Sequence, residues 1–120
     1  MVQLLPIKDS SQLQKLNEHA KTNAGFGYVL YEKEEIKGFA LYNICVDEAQ
    51  MLFISYPDSA SLDGLVRAVI SSLSVININK IVFLNSCDFD ELRKLSFITN
   101  SSNMLNNINE FLSGCKHCRK

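Results

Sequence analysis

The chain has 120 residues, 47% of them hydrophobic, enough for a single domain whose core needs no disulfide or metal staple. Twelve basic and thirteen acidic residues leave a net charge of −1 with no block of either sign, so there is no electrostatic footprint for nucleic acid. No apolar run approaches the roughly 18–20 residues that cross a bilayer, and the opening MVQLLPIKDSSQ lacks a basic leader and a small-residue cleavage site, so a cytoplasmic protein with its four cysteines as thiols is expected.

Residues 2–7, VQLLPI, read as a short strand in which Pro6 favours a sheet edge or strand end. Ser10 or Ser11 can cap a helix whose apolar positions Leu13, Leu16 and Ala20 recur at helical spacing, and Gly25 and Gly27 stop it. Apolar segments at 28–32 and 38–46 flank the polar KEEIK and predict a hairpin. Asp47 and Glu48 turn the chain into a third apolar strand over 50–56, which completes an antiparallel meander. After Pro57 comes a small-residue loop, DSASLDG, over 58–64. Leu62, Leu65, Val66, Val69, Ile70 and Leu73 then form one apolar helix face, with the helix itself over 65–73. The apolar run KIVFLN at 80–85 follows, so this helix is a crossover and its flanking strands should run parallel. A short helix over 88–96, capped by Asp88 or Asp90, leads to a brief strand at Met104 and a helical turn from Glu110 to Leu112.

The order β-α-β-β-β-α-β-α-β predicts an α/β (α+β) domain with a mixed, largely antiparallel sheet and helices on both faces. No repeat or linker divides it, so one domain spans 1–120, ending in a cysteine-containing tail at 113–120. A strand that opens through a tight loop onto a helix can bind an anion there, because free backbone N–H groups point outward.

This element order and its strand–loop–helix resemble the GNAT-type N-acetyltransferase superfamily. In that family the fourth strand leads through a Gln/Arg-x-x-Gly-x-Gly/Ala loop into a helix, and the loop amides hold the pyrophosphate of acetyl-CoA. Taking Arg67-Ala68 as the basic-then-small pair inside that helix places the loop on Ser61-Leu62-Asp63-Gly64-Leu65-Val66. Gly64 matches, whereas Ser61 stands where Gln or Arg is usual and Val66 where Gly or Ala is usual. Lys94-Leu95-Ser96-Phe97 is similar to the Lys-Leu-Gly-Phe that ends the family's next helix, with serine for glycine. The resemblance covers nearly the whole chain. It implies acetyl-CoA as cosubstrate, held along Ser59, Ala60, Ser61, Leu62, Asp63, Gly64 and Leu65, and acetyl transfer to an amine of a small molecule or peptide.

Acetyl transfer to an amine needs a base for the amine and an acid for the departing thiolate. The family's acid is often a tyrosine on the helix after the fifth strand, a position that falls on Leu92 here. Its base is often a glutamate on the fourth strand, where Glu48 and Gln50 stand. Tyr56 is the nearest hydroxyl to the supposed cleft. Asp63 would repel a pyrophosphate unless Arg67 offset it. Leu92 and Asp63 therefore also fit a GNAT-like module without catalysis, which binds a partner or forms a homodimer.

A third reading rests on Cys115-Lys116-His117-Cys118. Two thiolates three apart with an imidazole between them match half of a tetrahedral zinc site. The remaining soft candidates, His19, Cys45 and Cys87, lie in segments read as helix or strand. The plainest reading of the tail is a solvated thiol pair, with a metal site shared across a dimer and a disulfide or redox pair as the alternatives.

Overall fold

The computed structural model describes residues 2–84, 86–99, 102–108 and 111. Strands β1 (Val2–Pro6), β2 (Phe26–Glu32), β3 (Glu35–Cys45) and β4 (Glu48–Ser55) pair in chain order, each antiparallel to the one before. Strand β5 (Ile81–Phe83) then lies parallel to β4, and β6 (Met104–Leu105) lies antiparallel to β5. Three helices complete the fold: α1 (Ser10–Ala20) after β1, α2 (Ser59–Val75) between β4 and β5, and α3 (Phe89–Lys94) after β5.

The alternation of apolar side chains splits the core into two layers. Leu30, Ala40, Met51 and Ile81 point to one side of the sheet, where α2 covers them with Leu62, Leu65, Val66, Val69, Ile70 and Leu73, all at most 1% exposed. Val29, Phe39 and Leu41 point to the other side, where Leu13, Leu16 and Ala20 of α1 pack on them. The expected architecture, helices on both faces of a mixed sheet, is therefore the observed one.

Several boundaries differ from expectation for identifiable reasons. Asp9, not a serine, caps α1, accepting from Ser11 N–H at 2.9 Å. The helix ends on Lys21 in the left-handed region (φ 59°), well before Gly25. Gly27 lies inside β2, where a Cβ would stand 2.9 Å from the Ala40 carbonyl oxygen. The hairpin between β2 and β3 turns on Lys33 and Glu34 alone, both at positive φ, because Glu32 already pairs with Glu35. Helix α2 begins at Ser59, so the segment expected as a loop is its first two turns. Asn85, at the end of the expected fifth strand, and Glu110 and Leu112 of the final turn lie outside the described residues.

Of the six described non-glycine residues at positive φ, Val46 and Ser96 bear most on the turns around the sheet. Val46, 96% exposed, sits at φ 56° in the turn from β3 to β4. Ser96 sits at φ 69° just past α3, the place where the resembled motif carries glycine. A left-handed residue with a Cβ costs about 1–2 kcal/mol, least when the side chain is short and polar. Val46→Gly should therefore stabilise the protein by about 1 kcal/mol, a rise in Tm of about 4 °C by thermal denaturation, and Ser96→Gly by less. A fall in Tm for Val46→Gly would mean that the turn carries no strain.

Candidate functional site

Strands β4 and β5 keep company for only three residue pairs, from Ala49 with Ile81 to Met51 with Phe83. The last link is the Leu84 N–H to the Met51 carbonyl at 3.0 Å. Beyond it a bulge falls at Leu52, since Leu41 pairs with Phe53 while Tyr42 pairs with Met51. A bulge bends its strand, and β4 runs on to Ser55 without a β5 partner. The base of the resulting gap is filled by the turn after β5. Ser86 Oγ donates to the Leu52 carbonyl, and the Cys87 thiol reaches the Met51 carbonyl at 3.6 Å. Burial pushes the Cys87 thiol up to about 11.

From the upper end of this gap the chain passes through Tyr56 and Pro57 into α2. Gly38 sits beside this exit, with a Cβ there falling 2.5 Å from the Ser55 carbonyl oxygen, so the β3 backbone must stay bare. Asp58 is the N-cap, its carboxylate accepting from Ser61 N–H at 2.8 Å and its carbonyl from Leu62 N–H at 3.1 Å. That hydrogen bond holds the Asp58 carboxyl below its ordinary value. Among the described residues no protein group pairs with the amides of Ser59 and Ala60.

Helix α3 starts alongside. Asp88 caps it through Glu91 N–H at 3.2 Å and accepts from the Tyr56 hydroxyl at 3.3 Å. Ser59 Oγ donates to Glu91. Partial burial and then the charge of Asp88 raise the Tyr56 hydroxyl above its ordinary value, so it stays protonated at neutral pH. The mouth thus presents two free amides, one protonated phenol and three carboxylates, with no salt bridge to those carboxylates among the described residues.

The residues singled out from sequence scatter around this arrangement. Ser59, Ala60 and Ser61 occupy the first turn of α2. Leu62 and Leu65 are buried against the sheet, so only their backbone belongs to the helix end. Gly64 faces β1, where an added Cβ would come 3.3 Å from Leu4, in a cleft of about 340 Å³ that Pro57, Asp58 and Lys37 also line. Asp63 is bound by Arg67, Nε to Oδ2 at 2.9 Å. The Arg67 guanidinium also lies 5.6 Å from the Phe97 ring centre and 5.4 Å from that of Phe111. Glu48 begins β4, with Lys80 Nζ 3.9 Å away. Tyr56 lies eight residues further, about 25 Å along an extended strand, so the two do not meet. Leu92 is fully buried.

Sequence reasoning passed over Asp58 and Glu91. Both had a signal: Asp58 precedes a serine-rich helix start after Pro57, and Asp88 with Glu91 has the spacing of a capping box. Cys115, His117 and Cys118 lie outside the described residues. Among those described, no group of three His, Cys, Asp or Glu side chains could hold a metal ion, and no helix is long and apolar enough to cross a membrane.

The fold as a whole is shared with solved structures. The ribosomal-protein-S18-alanine N-acetyltransferase of Escherichia coli superimposes with a TM-score of 0.58 at 13% identity, over 80% of this chain and 77% of that one. YhhK of Escherichia coli, solved bound to coenzyme A, gives 0.60 at 8% identity over 87% and 96%. The PaiA N-acetyltransferase of Thermoplasma acidophilum, solved in complex with coenzyme A, gives 0.54 at 14% identity over 79% and 67%. This is the GNAT fold. No family model and no curated protein matches the sequence. The GNAT likeness therefore lives in the backbone, and Ser96 illustrates why: it adopts the glycine conformation of its motif without being glycine.

The two described cysteines should separate chemically. With Cys115 and Cys118 changed to serine, a disulfide reagent at pH 8 should titrate exposed Cys45 quickly and leave Cys87 unreacted. A thiol titrating near 11 is only about 0.1% ionised there, and burial shields it further. Two fast thiols in this folded double variant would contradict a closed base to the gap.

Proposed function

We propose that this chain is a GNAT-like acyltransferase that takes acetyl-CoA where β4 outruns β5 and enters α2. The observation that carries the reading is this departure, which ends on a 17-residue helix with the Ser59 and Ala60 amides unclaimed. Support also comes from the coenzyme A-bound structures that share the fold. Amides at a helix N-terminus suit a pyrophosphate. The Asp58 carboxylate does not, and it must release Ser61 N–H for an anion to use that donor.

In this reading Tyr56 is the proton donor. The acceptor amine forms its bond to the thioester carbonyl carbon, the carbon–sulfur bond breaks, and the sulfur takes the Tyr56 proton. An ammonium acceptor first loses its extra proton to water; the N–H proton released as the amide forms then restores the Tyr56 phenol through solvent. Glu48, at the far end of β4, has no part in these steps. A second reading, a GNAT-like module without catalysis, is favoured by Leu92, which buries an inert side chain where the family often has its acid.

Acetyl-CoA decides between them. At a dissociation constant near 0.1 mM, about 2 mM ligand contributes roughly 1.8 kcal/mol to the folded state, a rise in Tm of about 7 °C. Asp58→Asn keeps a capping side chain and removes the charge, so the same ligand should shift it more than the wild type. No shift in either protein would leave the non-catalytic module. A shift without acetylated product would leave binding alone, and loss of turnover in Tyr56→Phe with an unchanged shift would support the assigned proton donor.

A further inference from the structure

We propose that β1 is the contact edge of a homodimer in which two copies join their sheets antiparallel about Leu4. Strand β1 ends the sheet, and no described segment pairs with its outer side. Its register with β2, together with the Ile7 N–H to Gly27 carbonyl bond at 2.9 Å, fixes which groups are spoken for. Ladder bonds in an antiparallel pair alternate, so Gln3, Leu5 and Ile7 direct their backbone groups to β2. Val2 and Leu4, and the carbonyl of Pro6, direct theirs outward.

Proteins usually blunt such an edge with charges, proline or a bulge. Here Pro6 falls on an outward position, yet the centre of the edge is left open, flanked by Val2 at 56% and Leu5 at 46% exposure. A second copy fits this pattern. Two-fold pairing about Leu4 sets Val2 against Pro6 of the other copy. Each Leu4 N–H then meets the other Leu4 carbonyl, and each Val2 N–H meets a Pro6 carbonyl. The missing Pro6 donor is the only gap in the ladder. The same register brings Val2 and Leu4 against Pro6 and Leu4 on the α2 side of the sheet.

Charge favours the antiparallel sense as well. The Pro6 end of the edge runs into exposed Lys8, while exposed Glu32 flanks Val2 at the other end. Reversing one copy sets Lys8 of each beside Glu32 of the other, in surroundings that also hold Asp9 and Lys37. An edge-only contact lies near the lower bound for specific interfaces, roughly 1,200 Å² in total, so association should be micromolar.

Sedimentation velocity from about 1 to 200 µM should show the mass rising from 13.5 kDa toward twice that value. Leu4→Pro and Leu4→Ala lose the same side-chain contacts, but only the proline loses the outward donor. Leu4→Ala should still dimerise, and Leu4→Pro should weaken association at least tenfold; Val2→Pro should weaken it too. Should the proline variants fail to fold by circular dichroism, amide exchange in the wild type decides. The Leu4 amide should gain protection with concentration, while Gln3 and Leu5 stay protected throughout. A chain that remains monomeric at 200 µM, a dimer that Leu4→Pro leaves intact, or a Leu4 amide indifferent to concentration overturns the proposal. Capture of an extended peptide along β1 by a monomeric chain would do the same.

Discussion

The candidate end of this molecule depends on the short run over which β4 and β5 remain paired. Parallel strands need a crossover, and α2 supplies it by burying six aliphatic side chains on the sheet. That burial anchors the helix along its length and so fixes where its first turn lies. The bulge at Leu52 then bends β4 away, and the turn carrying Ser86 and Cys87 wedges the base of the opening. Without the bulge, β4 could continue beside β5 and there would be no mouth.

Two requirements compete at that mouth. A helix start needs its amides satisfied, and Asp58 does this locally. An anion site needs the same amides left free, as Ser59 and Ala60 are. The chain compromises, spending one amide on its own stability and leaving two. Arg67, the cation that could have balanced an incoming phosphate, is instead held by Asp63 and two aromatic rings.

Much of the architecture was legible from periodicity. The α2 face, with its apolar residues at helical spacing, and the existence of both hairpins read correctly because burial on one side leaves a repeating trace; the turns themselves are tighter, on Lys33–Glu34 rather than KEEIK and on Val46–Asp47 rather than Asp47 and Glu48. The GNAT resemblance emerged from element order and held as a fold. Helix starts were less legible: Asp9 and Asp58 each set the boundary through one side-chain hydrogen bond, a local event with no period. The bulge at Leu52 leaves no trace either, since LFIS remains apolar through it. The pairing of Tyr56 with Asp88, thirty-two positions apart, belongs to the tertiary structure alone.

The acidic lip formed by Asp58, Asp88 and Glu91 bears on more than the pyrophosphate. Most aliphatic amines arrive in water as ammonium ions, and a rim of carboxylates concentrates such cations while turning away carboxylated or phosphorylated ones. In the proposed acetyl transfer, the field that hinders one reactant gathers the other and sorts acceptors by their sign before any of them reaches the gap.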